Sequence, residues 1–234
     1  MPKPDKGKEP LKLVFSTRMH SDIEAMMLQN DLEQISRFYR LVEGSLEKEL
    51  AEFVQRIDKQ AQELPDAARQ EYYEWQSDGH WEFNEVFPGL FRSSLFLSCY
   101  ALLEARLDRL CDIAKTKDGH VVALDDIKGR GIRRARIYLE KVCCVPVPTR
   151  QWDNLMLLNA MRNTLIHSEG RIPADGIGKE IHKFAASNPN LLRVDGAGRI
   201  ALQEGFLPYS LSIISSFFDD LYEPLRWKQD PASQ

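Results

Sequence analysis

The sequence predicts an all-α protein: a helical bundle with a long N-terminal amphipathic helix and a small β-hairpin before the last helix. Three observations carry that reading. Apolar residues recur at three- and four-residue steps over roughly 22–64, a strongly apolar segment runs from Leu90 to Ala114, and side chains alternate only around 191–202.

The chain has 234 residues, 43% of them hydrophobic and 28% charged, enough for a sizeable core. Its organisation reads as a disordered tail over 1–20, an N-terminal helical arm over 21–86, a helical domain over 87–226 and a second tail over 227–234. The opening MPKPDKGKEP is charged and proline-rich with no apolar stretch behind it, and no uninterrupted apolar run approaches the ~18 residues of a membrane span. A cytoplasmic location is therefore expected. Cys99, Cys111, Cys143 and Cys144 form no C-x-x-C pair and lie at no zinc-ligand spacing, so they read as reduced core residues, and no metal or cofactor is expected. A net charge of -4 argues against a broad grip on nucleic acid, since counterion release needs a basic surface, so any RNA contact must be local.

In the first helix, Ile23, Met26, Met27, Ile35, Phe38, Leu41, Val42, Leu46, Leu50, Phe53, Val54 and Ile57 share the helical period, with an interruption expected near Gly44. Two roles fit it: covering the core, or pairing as an oligomerisation arm. A polar stretch with Pro65, Gly79 and Pro88 separates it from the helix over 90–114, which is apolar nearly all round between Leu95 and Leu103 and is expected to be buried. GRGIRRARIYLEK (129–141) reads as a helix opened by glycine, VCCVPVP breaks the chain, and a helix follows from about Thr149 to Ser168, ended by Gly170 and Pro173. A short helix over 175–186 precedes LLRV and RIAL, which flank Asp195-Gly196-Ala197-Gly198 as a hairpin, and a last helix spans about 207–225. Gly196, Gly198 and Ala201 match G-x-G-x-x-A only in spacing, without the strand and helix a dinucleotide site requires.

The helix over 149–168 carries more polarity than a core helix needs. Asn159, Asn163 and His167 stand at i, i+4 and i+8, and Arg162 lies beside them, so the four share an arc of about 140°. A cation, two amides and an imidazole beside an apolar surface must be hydrogen-bonded or face a wet cleft. His167 also sits in the last turn, where helix carbonyls favour a protonated imidazole. Glu104, among Leu102, Leu103 and Ala105, needs a cationic partner; Arg162 or His167 would serve, and so would an ordinary ion pair with Arg92 or Arg106. Lys128, Arg130, Arg133, Arg134, Arg136 and Lys141 against the single acid Glu140 form a basic stretch. It is either an RNA backbone contact or a solvated helix face.

Arg162-Asn163-Thr164-Leu165-Ile166-His167 resembles the R-[polar]-x3-H signature of HEPN domains, and Phe91–Glu104, with Arg92 and Glu104 flanking Tyr100, resembles the first core helix of the RiboL-PSP type. The likeness covers roughly 87–225. It implies a HEPN-like helical homodimer that joins two copies of the motif in a cleft. Many such proteins are ribonucleases, often toxins or antiviral-defence effectors. On this resemblance Arg162, His167 and Asn163 are the catalytic candidates, with Glu104, Asn159 and Arg92 supporting and Arg130, Arg133, Arg134 and Arg136 touching RNA. A metal-independent endoribonuclease is expected, with RNA, a second copy and an antitoxin or defence-complex protein as partners. The alternative is a non-catalytic HEPN-like RNA- or partner-binding module. Family toxins silenced by a paired nucleotidyltransferase carry Tyr two residues after the His, where this chain has Glu169, which sets that form of control apart.

Overall fold

The computed structural model describes residues 17–118 and 120–227, so the tails expected over 1–20 and 227–234 lie almost wholly outside it. The all-α reading holds: a helical bundle, a long N-terminal helix, and a two-stranded antiparallel hairpin ahead of the last helix.

Helix α1 (Thr17–Gln62) runs 46 residues, about 70 Å, without a break. Gly44 does not interrupt it, because the glycine faces open space while its neighbour Glu43 is locked into the interior. The first half of α1 lays Ala25, Leu28, Leu32 and Tyr39 into the main core. Its second half buries Phe53, Ile57 and Ala61 against α2 (Asp66–Trp75) and α3 (Ser77–Trp81). Gly79 makes that approach possible: a Cβ there would lie 2.7 Å from the Phe53 ring.

Where the sequence suggested a polar break, the chain is helical from Ser77 to Asp118, through a π-helical turn (Glu82–Val86) into α4 (Phe87–Asp118). Pro88 has no N–H for the carbonyl one turn earlier, and the wider π turn just before it absorbs the mismatch without ending the helix. By length and composition this run is apolar enough to cross a membrane, yet only 33% of its most apolar window is buried. The expectation that α4 is buried all round is thus corrected. One side packs Phe96, Cys99, Tyr100, Leu103, Leu107 and Cys111 inside, while the outer positions Ser94, Ser98, Ala101 and Ala105 are exposed. Alanine raises hydropathy without demanding burial, and serine lowers it only slightly.

After α4 come a short 3-10 turn (Leu124–Asp126), α5 (Gly131–Lys141), α6 (Thr149–His167) and α7 (Gly176–Ser187), the last capped by Asp175 accepting from the Gly178 N–H at 3.0 Å. Strands β1 (Leu192–Val194) and β2 (Ile200–Leu202) pair Leu192 with Leu202 and Val194 with Ile200. Asp195 closes the turn by accepting from the N–H groups of Ala197 and Arg199, each at 2.8 Å. Helix α8 (Phe206–Trp227) fills the centre with Phe206, Phe217, Phe218, Leu221 and Tyr222 and packs along α1. Cys99, Cys111 and Cys143 are buried and Cys144 is exposed; burial pushes the Cys99 and Cys111 thiols up to about 12.

Buried ion pairs fix α4 against α1. Arg92 donates through Nε and Nη2 to the two oxygens of Glu43 at 2.7 and 2.8 Å, and Arg106 joins Glu24 and Asp31 while Arg109 reaches Glu24 at 2.7 Å. Removing one partner strands a buried charge. Glu43→Ala is therefore expected to destabilise the fold by about 3 kcal/mol or more, whereas Glu33→Ala, which breaks only the exposed pair with Arg37, costs about 0.5 kcal/mol or less. Urea titrations of both variants test the contrast.

Candidate functional site

Helix α6 turns Trp152, Leu155, Leu158, Met161 and Thr164 inward. That leaves Asn159, Arg162 and Asn163 half-buried on α6, which packs against α4. Tyr100 of α4, itself buried, donates its hydroxyl to Asn159 Oδ1 at 2.9 Å. Arg162 lies with its guanidinium carbon 5.9 Å from the centre of the Tyr100 ring and donates to Asn163 Oδ1 at 3.0 Å. The amide and the aromatic ring thus hold the guanidinium in one orientation while leaving part of it open to solvent.

One turn beyond Tyr100 on the same face stands Glu104. Burial raises its carboxyl above the ordinary range; Arg162 opposes the shift and Asp108 adds to it. Its carboxylate lies against the first residue of α5: a Cβ on Gly131 would sit 2.5 Å from Glu104 Oε1, and Gly131 has φ +56°. The left-handed φ calls for glycine there, the missing side chain leaves room for the carboxylate, and the N-terminal end of α5 presents the positive pole of its dipole to it. Burial likewise pushes the Tyr100 phenol up, with the charge of Glu104 adding and those of Arg162 and Arg133 opposing.

Of the expected residues, Arg162, Asn163, Asn159 and Glu104 thus come together. Arg92 does not. It is on α4 two turns before Tyr100, about 12 Å along the axis, and is taken up by Glu43. Nor does Glu104 pair with Arg92 or Arg106, both of which are engaged by α1. His167 is exposed in the last turn of α6 and joins none of the hydrogen bonds that link Tyr100, Asn159, Arg162 and Asn163. Its position is nonetheless fixed. Glu169 and Gly170 take left-handed backbone (φ 50° and 83°), Gly170 N–H bonds back to the Thr164 carbonyl at 3.0 Å, and Ile200 N–H to that of Gly170 at 2.9 Å.

The α5 arginines divide. Arg134 is tied to Asp125 at 2.8 Å, and Arg136 to Glu140 at 2.8 Å while lying 4.6 Å over the Trp152 ring. These two have structural employment. Arg133 is exposed and near enough to Tyr100 for its charge to act on the phenol, and Arg130, just ahead of α5, is exposed. Among the described residues, no three His, Cys, Asp or Glu side chains gather as a metal site would require. Sequence reasoning gave no role to Tyr100 and Gly131. The four-residue spacing of Tyr100 and Glu104 could have revealed the former; the latter's role depends on a tertiary approach. No protein-family model matches the chain, and neither curated proteins nor solved structures yield a match.

Two consequences are measurable. Asn159→Ala leaves the buried Tyr100 hydroxyl without its acceptor and is expected to cost about 1–3 kcal/mol in chemical denaturation, with Tyr100→Phe costing less. For Glu104, a folded-state carboxyl raised above its unfolded value stabilises most below the unfolded pKa, and that contribution is lost as pH rises through the folded one. Glu104→Gln should therefore be more stable than the wild type at pH 7 and match it near pH 3. A loss at pH 7 would mean that attraction to Arg162 outweighs desolvation.

Proposed function

We propose that the protein is a metal-independent endoribonuclease whose site is completed by a second copy, with the role of a defence effector or toxin. The observation that carries the reading is a half-exposed guanidinium, Arg162, held by Asn163 over Tyr100, with an exposed imidazole, His167, just over one turn further along the same helix. RNA supplies its own nucleophile, so the protein needs only a proton acceptor, a proton donor and charge stabilisation at phosphorus. His167 of one copy takes the 2'-hydroxyl proton as that oxygen attacks phosphorus. The bond from phosphorus to the 5'-oxygen breaks, and the leaving oxygen receives a proton from His167 of the second copy. Arg162 stabilises the charge on the equatorial oxygens throughout. The products are a 2',3'-cyclic phosphate and a 5'-hydroxyl. Arg133, exposed near the cluster, and Arg130, exposed just ahead of α5, suit contacts to the flanking RNA backbone.

A second reading, a non-catalytic HEPN-like RNA- or partner-binding module, has its own support. His167 takes no part in the hydrogen bonds that join Tyr100 to Asn159 and Arg162 to Asn163, so the imidazole and the guanidinium are not held as one unit.

Incubation with mixed single-stranded RNA in EDTA separates the two. Wild-type cleavage is expected to fall by about 100-fold or more in Arg162→Ala and His167→Ala, with fragments whose 5'-hydroxyl ends accept phosphate from a polynucleotide kinase without prior phosphatase. Magnesium-dependent cleavage or 5'-phosphate ends would refute the mechanism, and RNA binding without wild-type cleavage would favour the binding module.

A further inference from the structure

Helix α1 buries one face and leaves the opposite one apolar. Ala25, Leu28, Leu32 and Tyr39 point into the core. On the other side Ile23 is 40% exposed, Met27 39%, Phe38 50% and Leu41 68%. At 100° per residue these four, together with the exposed Asn30 and Gln34, fall within an arc of about 80°. A stripe of four large apolar side chains at coiled-coil spacing on a solvent face is more than the scattered apolar exposure of an ordinary surface.

The order of residues along that stripe indicates its occupant. Apolar residues lie at both ends and two amides in the middle, and the arrangement is symmetric about Leu32. Ile23 is as far from that point as Leu41, Met27 is within a residue of matching Phe38, and Asn30 mirrors Gln34. We infer that α1 pairs antiparallel with α1 of a second copy across a two-fold axis near Leu32. Ile23 and Met27 of each chain pack on Leu41 and Phe38 of the other, over about 27 Å of helix. Asn30 and Gln34, each carrying an amide donor and acceptor, meet across the axis and hold the register, as a single polar layer does in a coiled coil.

Charge selects the antiparallel sense. An in-register parallel pair would bring the two Arg37 side chains to one level and the two Arg40 side chains to another, with the two helix dipoles aligned. The antiparallel pair moves the arginines to opposite ends and opposes the dipoles. Phe38 continues the apolar surface onto α4, where its ring meets Phe91 edge-on at 6.1 Å. This interface uses none of the groups around Arg162 and does not depend on the ribonuclease reading.

Sedimentation and light scattering of the full chain test it, alongside a double substitution, Ile23→Glu with Leu41→Glu. Both positions are exposed, so the variant should keep its helical circular dichroism and melting profile. The expected result is self-association of the wild type at micromolar concentration, with the dissociation constant of the α1 contact raised at least about thirtyfold in the variant. Orientation is read by oxidation in a Cys144→Ser background, which removes the exposed native thiol. Ile23→Cys mixed with Leu41→Cys should form a disulfide-linked dimer, and neither alone should. A wild-type monomer at 100 micromolar, rapid crosslinking of either single variant by itself, or a dimer unchanged by the two glutamates would each overturn the proposal. In that last case, sensitivity of the dimer to substitutions around Arg162 would assign it to the composite site instead.

Discussion

The bundle depends on how α4 is held against α1. A guanidinium taken from water into a half-buried seam is tolerable only where carboxylates wait for it, and α1 supplies them at two levels: Glu43 for Arg92, and Glu24 with Asp31 for Arg106. A slide of one turn would break the apolar packing of the two helices and would also strand buried charges at two separated levels. Because α4 is rigid, fixing its register against α1 also fixes where its other edge presents Tyr100 and Glu104. Those two side chains define the Arg162 cluster, so a clasp on one face of the helix sets the chemistry available on another.

Much of this was legible in the chain and some was not. The long helix, the polar end of α6 and the hairpin follow from periodicity and from an Asp-Gly turn, which are local and repeated signals. The π turn before Pro88 was not legible, since proline and glycine read locally as punctuation, and only packing of Phe53 against Gly79 shows why the helix continues. The same limit applies to partners. Glu104 needed a cation by any local reading, but which arginine it faces depends on Arg92 and Arg106 being claimed by a helix some fifty to eighty residues earlier. Asn159, Arg162 and Asn163 were identified together because helical spacing alone aligns them. The basic character of α5 was read correctly as charge and incompletely as surface: Arg134 and Arg136 spend theirs inside the molecule, leaving Arg130 and Arg133 to face outward.

The segment after His167 is bonded as if it were sheet. Arg171 bridges to Arg199, the Ile200 N–H bonds to the Gly170 carbonyl, and the Ile172 N–H bonds to that of Gly198. A residue at a helix terminus ordinarily shares the fraying of its last turn and the nanosecond wandering of the loop beyond. Here the backbone beyond the terminus is a third edge of the hairpin, so that end of α6 takes on the stiffness of a β-structure whose inner residues, Leu192, Ile200 and Leu202, are buried in the core. The backbone that carries the imidazole is thereby tethered from both sides, by α6 before it and by the hairpin after it. Any change that lengthens the Asp195–Gly198 turn will act mechanically on His167 from across the fold, through the hydrogen bonds that tie Gly170 and Ile172 to the hairpin.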